Sequence, residues 1–197
     1  MSKRNPIILI HGLWNTADIF LSINSKLDEM GIEYFAPNLK HEYGMTSIVE
    51  LSYLLNDLIL DKYGYEKKLD IFGFSMGGII GRYWIKKMNG YKRTTRFITV
   101  GSPHRGTLAS QLIPKYPFRG ISEMKINSYL LKELSKSDHL LSGIHCISFF
   151  TYWDLMVFPG WRSYMNSGEK ISLNIFKHKD LIRNPLAVER IINRLLI

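Results

Sequence analysis

Cysteine is nearly absent from this chain: Cys146 is the single one, which excludes an internal disulfide framework and a cysteine-rich zinc module. Proline is scarce, 7 in 197 residues, while 46% of the residues are hydrophobic and 13% aromatic. That balance excludes a disordered tail, a collagen-like chain or a low-complexity spacer. No apolar run approaches the ~18–20 residues that a membrane-spanning helix needs. The basic start through Arg4 is followed only by Ile7 to Ile10 before His11 and Gly12, too short for the apolar core of a secretory signal. The sequence therefore reads as one soluble domain over 1–197, expected in the cytoplasm.

Acid is also in deficit, 17 residues against 26 basic, for a formal charge of +9. Such an excess favours an anionic partner, although lysine and isoleucine are both abundant, the mix an AT-rich genome supplies without selection for binding. The densest basic run, Arg82 to Arg96, contains no acid. It falls where a helix should end, so it reads as a solvated face whose cations complement the helix dipole. No zinc-finger spacing, RNA-recognition signature or long basic helix is present, so no nucleic-acid partner is expected.

What the chain does have is alternation. Short β-like runs at Pro6–Ile10, Ile32–Ala36, Leu69–Gly73, Arg96–Val100, Ile144–Thr151 and Lys170–Phe176 alternate with helical patterns, which predicts a mostly parallel sheet of about six strands flanked by helices. Ser47-Ile48-Val49-Glu50 is a capping-box pattern. Ile48, Leu51, Leu55 and Leu58 then recur at helical spacing until Gly64. A second helix is predicted over Met76–Met88. A third starts at Asn184 and Pro185, cap and first helical position. The least regular part, 102–143, is expected to hold at least one helix, around Leu130, Leu131 and Leu134, and to lie over or beside the active site.

Gly73-Phe74-Ser75-Met76-Gly77 matches Gly-x-Ser-x-Gly. The match alone is weak, but it follows an apolar strand and opens a helix, where a nucleophile elbow must sit. A strained turn there exposes the serine hydroxyl, and the helix dipole faces the developing negative charge. Serine needs a base held by a carboxylate. His178 follows the last predicted strand and Asp154 follows the strand before it, giving the order Ser75, Asp154, His178. Asp180 or Asp138 could take the place of Asp154. Two backbone N–H groups should hold the oxyanion, from Met76 after the nucleophile and from Leu13 in the His11-Gly12-Leu13-Trp14 loop. His11 reads as a structural hydrogen-bonder of that loop.

These motifs, together with Gly101-Ser102-Pro103-His104-Arg105-Gly106-Thr107, resemble those of small bacterial lipases and esterases of the α/β-hydrolase superfamily. Asp154-Leu155-Met156-Val157-Phe158-Pro159 is similar to their acid loop and His178 to their late histidine. The resemblance implies an α/β-hydrolase fold with no large cap domain. It also implies a carboxylester hydrolase working through an acyl-enzyme on Ser75, with no metal and no cofactor. Apolar residues of the predicted active-site loops, chiefly Trp14, Phe158 and Trp161, are expected to line the substrate site, and an acyl ester or lipid is the expected substrate. With the positive charge, an apolar rim would suit peripheral contact with an anionic membrane surface. An acyl thioesterase, or a catalytically silent hydrolase fold that binds lipid or protein, is the alternative.

Overall fold

A computed structural model describes residues 4–196; the first three residues of the basic start lie outside them. Six strands form one sheet in which every pairing is parallel: β1 (Ile7–Ile10), β2 (Tyr34–Phe35), β3 (Leu69–Phe74), β4 (Thr94–Val100), β5 (His145–Phe150) and β6 (Glu169–Ser172). Their spatial order is β2-β1-β3-β4-β5-β6, so the chain reverses direction once, between β2 and β3. Parallel neighbours need crossovers; helices supply all but that between β5 and β6, and the last helix follows β6. The helices are α1 (Leu21–Glu29), α2 (Ile48–Tyr63), α3 (Met76–Lys87), the short α4 (Arg119–Glu123), α5 (Tyr129–Lys136) and α6 (Pro185–Leu196).

The period of two along each strand sorts the core into two layers. Ile8, Ile10, Leu69, Ile71 and Phe97 point to the layer built from α2, α3, α4 and α5. Their neighbours Ile7, Leu9, Phe72, Phe74, Ile98 and Val100 point to the layer with Ile23 and Leu27 of α1 and Ile191 and Leu195 of α6. Strands buried on both faces explain the continuous apolar runs. Each such side chain, buried outright, contributes roughly 1.5–3 kcal/mol.

Local signals set the helix ends. Ser47 Oγ accepts from Glu50 N at 3.1 Å while Glu50 Oε2 accepts from Ser47 N at 3.2 Å, closing the predicted capping box on α2. Gly64, at φ 63°, ends that helix. Asn184 Oδ1 accepts from Leu186 N at 3.0 Å ahead of Pro185, so α6 begins where the sequence puts it. Segment 102–143 holds α4 and α5, with Leu130, Leu131 and Leu134 buried.

The basic run after Gly81 is only partly the solvated face expected of it: Lys87 and Lys92 are exposed, but three of its cations are buried. Arg82 and Lys86 are buried against the far end of the 102–143 segment. Arg82 Nη2 donates to Asp138 Oδ1 at 2.8 Å, Lys86 Nζ donates to the same oxygen, and Lys86 Nζ also donates to the Leu134 carbonyl at 2.6 Å. Arg93 is buried too, donating to the Gly64 carbonyl at 2.5 Å. These cations lie on the inner faces of α3 and its following turn, where a net charge count cannot see them. Asp138 is thereby committed to an ion-pair cluster.

Candidate active site

Ser75 sits between β3 and α3 at φ 54°, ψ −126°. A left-handed conformation costs a non-glycine residue about 1–3 kcal/mol and persists only where the surroundings impose it. Here they do. Ser75 N donates to the Val100 carbonyl of β4 at 2.9 Å, which fixes the turn to the sheet. A Cβ on Gly77 would collide with the Ile10 carbonyl of β1, so only glycine lets α3 start this close to the sheet.

The loop after β1 comes close to Ser75. A Cβ on Gly12 would stand 2.6 Å from Ser75 Cβ and 3.2 Å from Ser75 Oγ, so this backbone lies against the hydroxyl. Leu13 is half-buried and lines the same cavity as Ser75. Among the described residues, neither the Leu13 nor the Met76 N–H has a protein acceptor. An unengaged amide at the helix N-terminus directly after Ser75, and another directly after the Gly12 backbone that lies against it, are donors of the kind that can hold an oxyanion. His11 is engaged elsewhere. Its Nε2 accepts from Leu39 N at 2.9 Å and its Nδ1 donates to the Gly12 carbonyl at 3.0 Å. Burial lowers its pKa, keeping it neutral and structural.

Asp154, on the turn after β5, is fully buried. Its Oδ1 accepts from Met156 N at 2.9 Å and Val157 N at 3.1 Å, and its Oδ2 accepts from His178 Nδ1 at 2.5 Å. Three donors on one carboxylate compensate its removal from water. The bond also fixes the His178 tautomer, leaving Nε2 as the basic nitrogen. Nε2 is buried without a protein hydrogen-bond partner among the described residues. The ring is held against Phe74 at 4.9 Å between centroids and against Gly101, whose added Cβ would lie 2.9 Å from His178 Cε1.

Ser75 and His178 line one cavity of about 280 Å³. Its other walls are mostly apolar, with Leu13 and Trp14 from the β1 loop, Met156 and Val157 after the acid, and Ile113, Ile121 and Met124 from segment 102–143; Asn15, Thr107, Ser110 and Lys179 are the polar residues among them. Residues of that segment thus share a cavity with Ser75 and His178. Sequence reasoning missed Ile113, Ile121, Met124 and Met156 as cavity residues. The available signal was the three-residue spacing of Ile121 in short α4 and Met124 at its C-terminal end.

Of the predicted substrate contacts, Trp14 lines the cavity and is half-exposed, whereas Phe158 and Trp161 do not line it. The chain turns after Val157. The Phe158 backbone is tied to the 102–143 segment through Leu108 N and Thr107 Oγ1, and Trp161 stands between the guanidinium groups of Arg162 and Arg105, 4.8 and 5.9 Å from its ring. His104 is also remote in function. It is buried, bonded to Thr99 Oγ1 at 3.1 Å, and its pKa lies well below the ordinary value through desolvation and the nearby cations Arg82, Lys86 and Arg105. Among the described residues no group of three or more His, Cys, Asp or Glu could hold a metal ion.

The family model for palmitoyl protein thioesterase matches residues 6–142, a span carrying the oxyanion loop, the serine elbow and the 102–143 walls. Solved structures agree in fold. Aspergillus fumigatus lipase B superposes with a TM-score of 0.77 at 15% identity over 94% of this chain, which spans only 51% of that protein. Mature Bacillus licheniformis lipase BlEst2 gives 0.71 at 12% identity, covering 99% of this chain and 93% of the other. A Listeria innocua protein gives 0.68 at 16%, covering 95% and 92%. At such identities the likeness speaks for the fold, and the family match over more than half of the chain does the rest: this chain is a member of the α/β-hydrolase superfamily and belongs to the palmitoyl protein thioesterase family.

Proposed function

We propose that the chain hydrolyses carboxylic acyl esters through an acyl-enzyme on Ser75. The observation that carries this reading is a base already oriented by a buried acid, with its free nitrogen and a strained serine facing one apolar cavity. His178 Nε2 takes the Ser75 proton as Oγ attacks the acyl carbon. Asp154 holds the imidazole and stabilises the imidazolium. The Leu13 and Met76 amides receive the oxyanion. As the tetrahedral intermediate collapses, the bond to the leaving oxygen breaks and that oxygen takes the proton from His178. A water deprotonated by His178 then releases the acid and restores Ser75.

A thioester is the second reading, favoured by the family match. It needs the same residues, since only the leaving atom changes. The cavity sits at the lower end of small-molecule pockets, which run from roughly 300 to 1,000 Å³. A short acyl chain would be enclosed and a long one would leave across the rim. Leu108, Leu112, Trp14, Leu155, Met156 and Phe158, each a lining residue or the chain neighbour of one, are exposed, and we propose that they form a rim that meets a negatively charged lipid surface. The test is hydrolysis of p-nitrophenyl butyrate, p-nitrophenyl palmitate and S-butyryl-pantetheine by wild type and Ser75→Ala. Activity on any of them that disappears in Ser75→Ala supports the reading. Turnover surviving in Ser75→Ala, or none by folded wild type on all three, refutes it.

A further inference from the structure

A second pocket, of about 540 Å³, adjoins the acyl cavity and shares three of its residues, Trp14, Asn15 and Lys179. It is the more charged of the two, although Trp14, Ile19, Leu39 and Tyr43 also line it. Lys40 enters from the loop after β2, and Lys179 and Arg183 enter from the turn that begins at His178. Among the described residues these three cations form no ion pair. Two acids, Asp18 and Glu42, also line the pocket, and Asp18 accepts from Thr16 Oγ1 at 3.2 Å. His41 stands in the wall with Nε2 bonded to the Asn15 carbonyl at 3.3 Å and its buried Nδ1 without a protein partner. The wall therefore offers surplus positive charge and an unmet polar atom in a space that adjoins, through Trp14, Asn15 and Lys179, the cavity lined by Ser75 and His178.

This placement has a chemical meaning that rests on the reading of Ser75 as the acyl acceptor. With the acyl carbon at Ser75 and the chain in the apolar cavity, the leaving group must depart where His178 can protonate it. Lys179 is the next residue in the chain and lines both spaces. We infer that the second pocket is the leaving-group subsite and that it selects a leaving group bearing a phosphate monoester. A phosphate offers several acceptor oxygens to Lys and Arg donors and a hydroxyl or acceptor to His41 Nδ1. A neutral alcohol or thiol leaves the cations unused.

Two matched pairs test the inference and separate an alcohol source of the phosphate from a thiol source: 1-butyrylglycerol with its 3-phosphate, and S-butyryl-pantetheine with its 4′-phosphate. At low salt kcat/KM should be at least about tenfold higher for the phosphorylated member of one pair. The advantage should shrink at about 0.5 M salt, where exposed charges are screened, and collapse in the Lys40→Gln/Arg183→Gln double variant, mainly through KM. Equal kcat/KM within both pairs, or an advantage the double variant keeps, overturns it. If no ester or thioester is turned over, the Ser75 reading has failed, and the subsite is judged by calorimetry with glycerol 3-phosphate against glycerol. Binding of the phosphate alone, lost in the double variant, supports the subsite; equal binding of both, or of neither, refutes it.

Discussion

Gly12→Ala isolates the oxyanion loop from the rest of the site. The new methyl would stand 2.6 Å from Ser75 Cβ, 3.1 Å from the Phe74 carbonyl and 3.2 Å from Ser75 Oγ. Carbon atoms rest at about 3.5–4.0 Å, so the loop must retreat by roughly 1 Å. The elbow cannot give way, because Ser75 N is anchored to Val100 and Gly77 is already against the Ile10 carbonyl. The Leu13 amide should then move out of reach of the oxyanion. Losing one such donor costs on the order of 10²–10³ in kcat, and a displacement of that size alone can cost about 10². The loss should fall on kcat rather than KM, since the interaction exists only in the transition state. Overpacking should cost about 1–3 kcal/mol of stability. The assay is steady-state hydrolysis of p-nitrophenyl butyrate with urea melts run beside it. Gly143→Ala is the control, because its added methyl meets nothing within 4 Å. A folded Gly12→Ala protein with kcat within about threefold of wild type would refute the placement of the oxyanion at Leu13.

Other perturbations probe the remaining contacts. Asp154→Asn keeps an acceptor for Met156 and Val157 but turns an amide donor toward His178 Nδ1, so kcat should fall on the order of 10⁴ while the fold persists; an activity near wild type would show that the pair is only structural. Burial and the neighbouring Arg82 push the Lys86 ammonium down to about 8, against the pull of Asp138. The unfolded chain then binds more protons than the folded one between about pH 8 and the ordinary 10.5, so unfolding free energy should rise with pH across that window. Compared by urea unfolding with Lys86→Met, which lacks this contribution, wild type should gain at least about 1 kcal/mol from pH 8 to 10, and parallel curves would contradict the buried ammonium. Asp138→Asn strands two buried cations and should lose about 3–5 kcal/mol in the same melts. On the exposed rim, Leu112→Asp/Leu155→Asp should weaken co-sedimentation with vesicles rich in phosphatidylserine and leave hydrolysis of a monomeric ester unchanged; undiminished vesicle binding would remove the membrane from the account.

How much of this was legible in the sequence follows from how local each signal is. Strand β1 announced itself because both its faces are buried and its apolar run is unbroken, whereas β2 is short and half-buried and β6 largely exposed. Helices α2 and α6 carried their own caps, Ser47 and Asn184. Helix α1 gave little warning, since only Ile23 and Leu27 of its nine residues are buried. The elbow at Ser75 and the turn after Gly12 were legible because glycine is required where the backbone comes this close. Asp154 was one aspartate of three until the fold bonded it to His178 and committed Asp138 to Arg82 and Lys86. The cavity walls were least legible. Which apolar loop residues face inward depends on where the chain turns after Val157, and that turn is held by Thr107, some fifty residues away.

The central claim is that Ser75 is a nucleophile activated by His178. It is tested most directly by incubating the folded protein with a fluorophosphonate and locating the adduct by peptide mass spectrometry. The account predicts one adduct per chain, on Ser75, absent in Ser75→Ala and formed orders of magnitude more slowly in His178→Ala. A folded protein that stays unlabelled, or carries the adduct on another residue, would contradict it.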